Sequence, residues 1–209
     1  MQLTKFGHSC LRVRSGAADL LIDPGTFSAG FESLTGLTAV LITHQHPDHL
    51  DVARVLALLR ANPQAQVIAD HETAQFLDGA GVQAREVGPG TVLDLGVPVE
   101  VVGERHAVIH ADLEPQANVG YLVDDRLLHP GDALTVLRDR AVEILALPVS
   151  APWMALKEAI DYFRAVAPQV VVPIHEKVLA NPSMPYQLLQ RLGPPARWLD
   201  LDAGEPTDV

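Results

Sequence analysis

Ala39-Val40-Leu41-Ile42-Thr43-His44-Gln45-His46-Pro47-Asp48-His49 is the stretch that decides the fold of this 209-residue chain. Its apolar start reads as a strand that ends at the first histidine. In an extended segment side chains two apart point the same way, so His44 and His46 share a side and can grip one ion. The Pro47-Asp48 turn then reverses the chain and delivers Asp48 and His49 to a second position nearby. Imidazole together with carboxylate suits zinc, manganese or iron, and mixing the two ligand types is normal for a hydrolytic centre. A polar turn that happens to be rich in histidine is the plain alternative. Further ligand-type residues downstream weigh against it.

The chain is long enough for one ordinary domain, residues 1–209, with a sizeable core, and at 48% hydrophobic residues it is globular rather than disordered. Its formal net charge of -11, with no basic run to track a phosphate backbone, argues against general nucleic-acid binding. A single cysteine permits no internal disulfide. The start, Met1 to His8, lacks the apolar core of a signal peptide, and no apolar run approaches the roughly 20 residues of a spanning helix. The expected setting is therefore the cytoplasm, away from membranes. A small-molecule substrate is the expected partner, and self-association stays open.

Working outward, the N-terminal third reads as short strands at Leu3–Phe6, Leu11–Arg14 and Asp19–Ile22. Residues Asp51–Arg60 place Val52, Val55, Leu56 and Leu59 at helical spacing, and Pro63 closes that helix. A strand at Val67–Ala69 and a helix at His71–Leu77 follow. The strand pattern returns at Val92–Leu95, Val97–Val102, Val119–Val123 and Arg126–Leu128. The continuous apolar runs Val142–Leu147 and Val170–Ile174 predict buried strands. Between them, Trp153–Val166 carries Trp153, Leu156, Ile160, Phe163 and Val166 on one helical side. A short helix at Tyr186–Leu192 ends before Pro194-Pro195, and the polar tail Asp202–Val209 is expected to be loose. Strands, then helix-strand units, then both again, suggest two αβ halves.

The spacing His44-x-His46-x-Asp48-His49 after a hydrophobic strand resembles the signature of the metallo-β-lactamase fold superfamily. Gly7-His8-Ser9-Cys10 and the strand end Leu21-Ile22-Asp23-Pro24 are similar to the branch of L-ascorbate-6-phosphate lactonase and related metal-dependent hydrolases. The resemblance runs from Phe6 to His175 and implies an α/β chain folded as a four-layer αββα sandwich, with the site at one edge. It also supplies the remaining ligands in order: His106 in Gly-Glu-Arg-His, Asp132 in His-Pro-Gly-Asp and His175 in Val-Pro-Ile-His. It implies that His44, His46 and His106 hold one divalent transition-metal ion and Asp48, His49 and His175 a second. Asp132 would bridge them. Zinc is the first choice of metal, with manganese or iron as alternatives.

Within that set, His106 competes with His110 for the third histidine position. His106 is favoured because it directly follows the strand ending at Gly103, which leaves His110 to the pocket. Asp23, at a strand end, either holds the ring N–H of a ligating histidine or simply forms an Asp-Pro-Gly turn. His8 either contacts substrate or the ligands, or is hydrogen-bonded for structural reasons. Cys10 is expected in the core, and His71 and His129 in structural roles. Ser150-Ala-Pro152-Trp153 could cap a helix and line the pocket, with Trp153 read as a core residue.

The implied chemistry is hydrolysis of a lactone, ester or phosphodiester of a small polar substrate by a metal-bridging hydroxide. Asp132 and Asp48 would act at the reacting centre, and His110 could protonate the leaving oxygen. Phosphodiesterase or nuclease action is one alternative, although transfer-RNA-processing relatives carry an additional substrate-gripping arm with no counterpart here. Iron-dependent oxidoreduction is another. Flavin-linked di-iron relatives place a Glu where this chain has His46, whereas persulfide dioxygenases share more of the motif. A non-catalytic binding module fits poorly with a complete set of ligands.

Overall fold

Alternation sets the first strands of the computed structural model, which describes residues 1–201 and 204–209. Strands β1 (Gln2–Lys5), β2 (Leu11–Ser15) and β3 (Ala18–Ile22) run antiparallel. In β2 the side chains of Leu11 and Val13 are buried while Arg14 stays in solvent, the period-two pattern of a half-buried strand. Parallel pairing then takes over through β4 (Ala39–Leu41), β5 (Gln66–Ala69) and β6 (Arg85–Glu86). Parallel neighbours need a crossover; α1 (Val52–Ala61) supplies it from β4 to β5 and α2 (His71–Gly79) from β5 to β6. Each begins on an aspartate whose carboxylate accepts from a first-turn amide: Asp51 from Arg54, Asp70 from Thr73.

The second half repeats the plan. Strands β7 (Val92–Asp94), β8 (Pro98–Val102), β9 (Gly120–Val123) and β10 (Leu127–His129) form an antiparallel meander. Strands β11 (Ile144–Pro148), β12 (Val170–Ile174) and β13 (Arg197–Trp198) extend it in parallel. The crossovers are α3 (Leu156–Val166) and α4 (Ser183–Leu192), and β14 (Thr207–Asp208) returns to the first sheet beside β1. The sheet orders are β14-β1-β2-β3-β4-β5-β6 and β13-β12-β11-β10-β9-β8-β7.

Three apolar clusters define four layers. Leu3, Ile22 and Leu41 meet Val99, Ile144 and Val172 between the sheets. Leu21, Val40 and Val67 pack under α1 on the outer face of the first sheet. Leu145, Leu147 and Val171 pack under α3 and α4 on the outer face of the second. Each fully buried Leu, Ile or Val contributes about 1.5–3 kcal/mol, so the sandwich is held by its three interfaces. The αββα architecture expected from the sequence is the one found.

The structure corrects three local expectations. Helix α3 begins at Leu156, not Trp153, because Ala151 and Met154 form an isolated antiparallel bridge and Glu158 reaches back to accept from Ala155 N at 2.7 Å. Ser150 therefore does not cap it. Nor is the described part of the tail loose: Gln2 pairs with Asp208 and Leu3 with Thr207, while Val209 N donates to Met1 O at 2.8 Å. Asp202 and Ala203, which belong to the same expectation, lie outside the described residues. Among the described residues no helix is long and apolar enough to cross a membrane.

Two contacts join the sheets where the chain enters the histidine motif. Tyr121, fully buried on β9, donates its hydroxyl to Ile42 O at 2.8 Å, and Val119 N donates to Thr43 O at 2.9 Å. Loops from both sheets are thereby fixed against each other at one edge.

Candidate metal centre

The turn after β4 brings His44, His46, Asp48 and His49 to that edge, the loop after β8 brings His106, and the segments after β10 and β12 bring Asp132 and His175. His44, His46, His106 and Asp132 each present a ligand atom within 4.8 Å of the others. His8, His49 and His175 do the same alongside. Asp132 stands between the groups. Its Oδ2 lies 3.2 Å from His106 Nε2 and 3.9 Å from His44 Nε2, while its Oδ1 lies 3.0 Å from His49 Nε2 and 2.7 Å from His175 Nε2.

Those distances are short, yet the angles leave several of the atoms without hydrogen bonds. Nε2 of His49, His106 and His175 and Oδ1 of Asp132 are buried and unpartnered. Buried polar atoms are expected to be paired. Three imidazole nitrogens and a carboxylate oxygen converging without partners form a donor set that fits divalent cations.

The other ring nitrogens explain why these face inward. Asp23, fully buried, accepts from Thr43 N and Thr43 Oγ1 at 2.8 Å each, and its Oδ2 lies 2.7 Å from His49 Nδ1. With its proton given to Asp23, Thr43 Oγ1 is left to accept from His44 Nδ1 at 3.0 Å. His106 Nδ1 donates to Ala107 O. An Nδ1 that donates leaves the Nε2 lone pair free to point into the site, so one carboxylate and one hydroxyl set the tautomers of two histidines. Asn118 Oδ1 accepts from Asp132 N at 2.9 Å, and Trp153 Nε1 donates to Asp132 Oδ2 at 2.8 Å.

The model of the beta-lactamase superfamily domain matches residues 2–175, from the first strand to the last of these histidines. The chain belongs to that family. Within the superfamily, Protein Rv0786c of Mycobacterium tuberculosis is 53% identical over 186 residues, 86% of either chain. A UPF0173 metal-dependent hydrolase of Methanocaldococcus jannaschii is 26% identical over 186 residues, 83% of either chain. Among solved structures, a metallo hydrolase from the archaeon Ignicoccus hospitalis superposes with a TM-score of 0.76 at 23% identity, over 99% of this chain and 97% of its own. That likeness shows a shared fold. Family membership and the His/Asp cluster make the chain a metal-dependent hydrolase.

Backbone and charge in this superfamily member bear the marks of a functional site. His8, Asp23 and His175 hold left-handed conformations at φ of 52°, 50° and 67°. Such positions cost roughly 1–3 kcal/mol each and persist where the surroundings over-determine them. At Gly25 an added Cβ would sit 1.8 Å from Asp48 O, so only glycine lets the Asp-Pro-Gly turn lie against the histidine motif. Burial drives the His44 imidazole well below its ordinary pKa, and the neighbouring His49 adds to the fall. Burial pushes His49 the same way, but Asp132 and Asp23 on either side outweigh it and hold its pKa well above the usual value. For Asp48, burial raises the pKa, while the hydrogen bond from His8 and the charge of His49 bring it down to about 2.

Most of the residues singled out in the sequence are gathered here, with differences of placement at Asp48 and Trp153. His110 lies outside the cluster with its side chain 66% exposed, 3.5 Å from Asp112. Asp48 sits at the margin, its Oδ2 3.0 Å from His8 Nε2 and 3.8 Å from His49 Nε2. His8 stands within the second group, a position the sequence left open between ligand shell and structure. Trp153 is not a core residue: it is half-buried, and its indole N–H is committed to Asp132. His129 and His71 are held as structural groups, His129 Nε2 donating to Ser9 O at 2.9 Å and His71 pairing with Glu86 on the surface. Cys10 is fully buried. The sequence reading missed Thr43 and Asn118, although a threonine directly before the first motif histidine was a visible cue.

Proposed function

We propose that this hydrolase cleaves lactone or ester bonds of a small molecule at a centre holding two divalent transition-metal ions, zinc first. The observation that carries it is Asp132, which presents one oxygen to each of two groups of imidazoles. His44, His46 and His106 would hold one ion; His49 and His175, with Asp48 beside them, would hold the other; Asp132 would serve both. Bound there, the ions supply Lewis acidity and bring the pKa of water toward neutrality, so hydroxide is available without a serine or cysteine nucleophile. The sequence resemblance to the lactonase branch favours a lactone, and one buried cysteine accords with a cytoplasmic setting.

The chain's own residues do the positioning. Trp153 and Asn118 fix the Asp132 carboxylate from two sides, one through its Oδ2 and one through its backbone. Asp23 and Thr43 keep the rings of His44 and His49 turned inward. His110 lines the cavity that begins at His106, and its Nδ1 accepts from Asp112 N at 3.1 Å. Its N–H is then on Nε2, from where it can donate a hydrogen bond to the leaving oxygen.

Elemental analysis of metal-saturated protein, followed by a screen of lactones, esters and phosphodiesters with zinc-, manganese- and iron-loaded samples, tests this. Two ions per chain and turnover of lactones or esters are expected. One ion or none removes the dinuclear centre. Cleavage confined to phosphodiesters, or oxygen consumption by the iron form, moves the chain to one of the alternative chemistries.

A further inference from the structure

Beyond the ligands, residues 103–119 carry the chain from β8 to β9 along the rim of the metal centre. The base of this loop is tied down. Arg105 and Ala117 form an antiparallel bridge, His106 N donates to Gln116 O at 3.0 Å, and Ala107 N donates to Asp132 O at 2.8 Å. Its far end turns on Leu113 N donating to His110 O at 3.1 Å. Between these anchors the loop holds large apolar side chains in solvent: Val108 is 74% exposed, Ile109 40% and Leu113 56%. They wall a cavity of about 310 Å³ that opens from His106. At roughly 30 Å³ for a water molecule, that is room for about ten water-sized groups.

Charge in this cavity is one-sided. Glu72 and Glu114 line it, and among the described residues no lysine or arginine does. Arg105 faces an adjoining depression, where Glu104 accompanies it. Glu72 Oε2 accepts from Ala117 N at 3.1 Å, which holds that carboxylate at the wall. An anionic group held on the outer wall would leave water beside two carboxylates, with no lysine or arginine of the lining to pair with it. An alkyl group would instead cover exposed Val108, Ile109 and Leu113. A concave, mainly apolar cleft with a few convergent polar groups, adjoining reactive residues, is the usual form of a ligand site.

We propose that this cavity is the specificity subsite of the enzyme, taking an apolar tail without negative charge carried by the lactone or ester. The proposal rests on the hydrolase assignment above. It also parts from the small polar substrate that the sequence resemblance implies. Extending the tail strengthens binding by about fourfold per methylene covered until the cavity is filled.

The test uses metal-loaded protein and six-membered lactones bearing a hexyl tail or the same tail ending in phosphate, beside the matching hydrolysis-resistant lactams. Calorimetry reads lactam binding and a pH-stat reads lactone turnover. The expected result is a preference of about tenfold or more for the uncharged tail in both. Leu113→Arg should reduce that preference about tenfold by placing a cation on the wall, with two ions per chain retained. Equal or better binding of the phosphate-ended lactam overturns the subsite and leaves the hydrolase assignment standing. A hexyl preference in binding without turnover of any lactone or ester supports the subsite and overturns the lactone and ester reading instead.

Discussion

Asp132 combines several demands: two groups of imidazoles, an indole N–H and a backbone anchor meet on it. Burial raises the pKa of its carboxyl, and the charges of His175 and His49 beside it reverse that, holding it well below the ordinary carboxylate range. It is therefore held as an anion at neutral pH. Asp132→Asn should abolish metal-dependent turnover and remove both ions while leaving the fold largely intact by circular dichroism. Asp23→Ala should do less, lowering metal affinity about 10–100-fold, as changes to groups that orient ligands typically do. Equal and mild effects would show that Asp132 is not shared. The two loop histidines separate in the same assay. Residues four apart in an extended stretch lie roughly 13 Å apart, too far to serve one ion. His106→Ala should lose the first ion, and His110→Ala should keep two and slow the reaction. If only His110→Ala empties the site, their roles are exchanged.

At the scale of elements, legibility tracked burial. β4, β11 and β12 were visible because buried parallel strands read as continuous apolar runs, and the histidine motif was visible because ligand spacing is a local property. β6, β13 and β14 were not. Each is two residues long with exposed or half-exposed side chains, so pairing rests on backbone hydrogen bonds to a neighbour distant in sequence. Trp153 was misjudged for a similar reason. Its helical spacing from Leu156 and Ile160 is real, but the turn fixed by Ala151 and Met154 releases it toward Asp132, a partner 21 residues away. Thr43 gains its role only when β3 and β4 pair and bring Asp23 beside it, and His8 only when His175 arrives from the second sheet.

The end of β10 offers an element-scale prediction. His129 is buried with both ring nitrogens engaged in the neutral form, Nε2 donating to Ser9 O at 2.9 Å and Nδ1 accepting from Gly131 N at 3.3 Å. Burial keeps its pKa below the ordinary 6.5, against an opposing pull from Asp23. With the folded value depressed, the unfolded chain binds more protons once pH drops below about 6.5. Stability from this group is therefore full above that pH and lost as pH falls, at up to about 1.4 kcal/mol per pH unit. Urea denaturation of chelator-treated protein at pH 7.5 and 5.5 should show a smaller difference for His129→Gln than for the parent chain. An unchanged difference would assign the acid sensitivity to other histidines.

For the whole molecule, closure of the sandwich at the site edge depends on a charge buried between the two halves. Lys5, at the end of β1, is 2% exposed; its Nζ donates to Pro173 O at 2.7 Å and lies 2.7 Å from Glu176 Oε2. Glu176 follows His175 directly, and its Oε1 accepts from His8 N at 3.1 Å. Burial lowers the Lys5 pKa, and the attraction of Glu176 opposes that fall. One ion pair thus locks the first strand of one sheet to the strand end that carries His175, with His8 held from the other side. Removing one partner from a buried pair strands the other charge and costs about 3–5 kcal/mol, whereas replacing both with neutral groups of similar size is often close to neutral. Lys5→Met should therefore destabilise the protein by about 3–5 kcal/mol and weaken metal binding as His175 and His8 lose their common anchor. Lys5→Met combined with Glu176→Gln keeps an acceptor for His8 N and should recover most of the stability. Denaturant midpoints and metal content of the two single variants and the double variant measure the coupling directly. Additive losses in the double variant would mean that the two sheets are locked by packing alone.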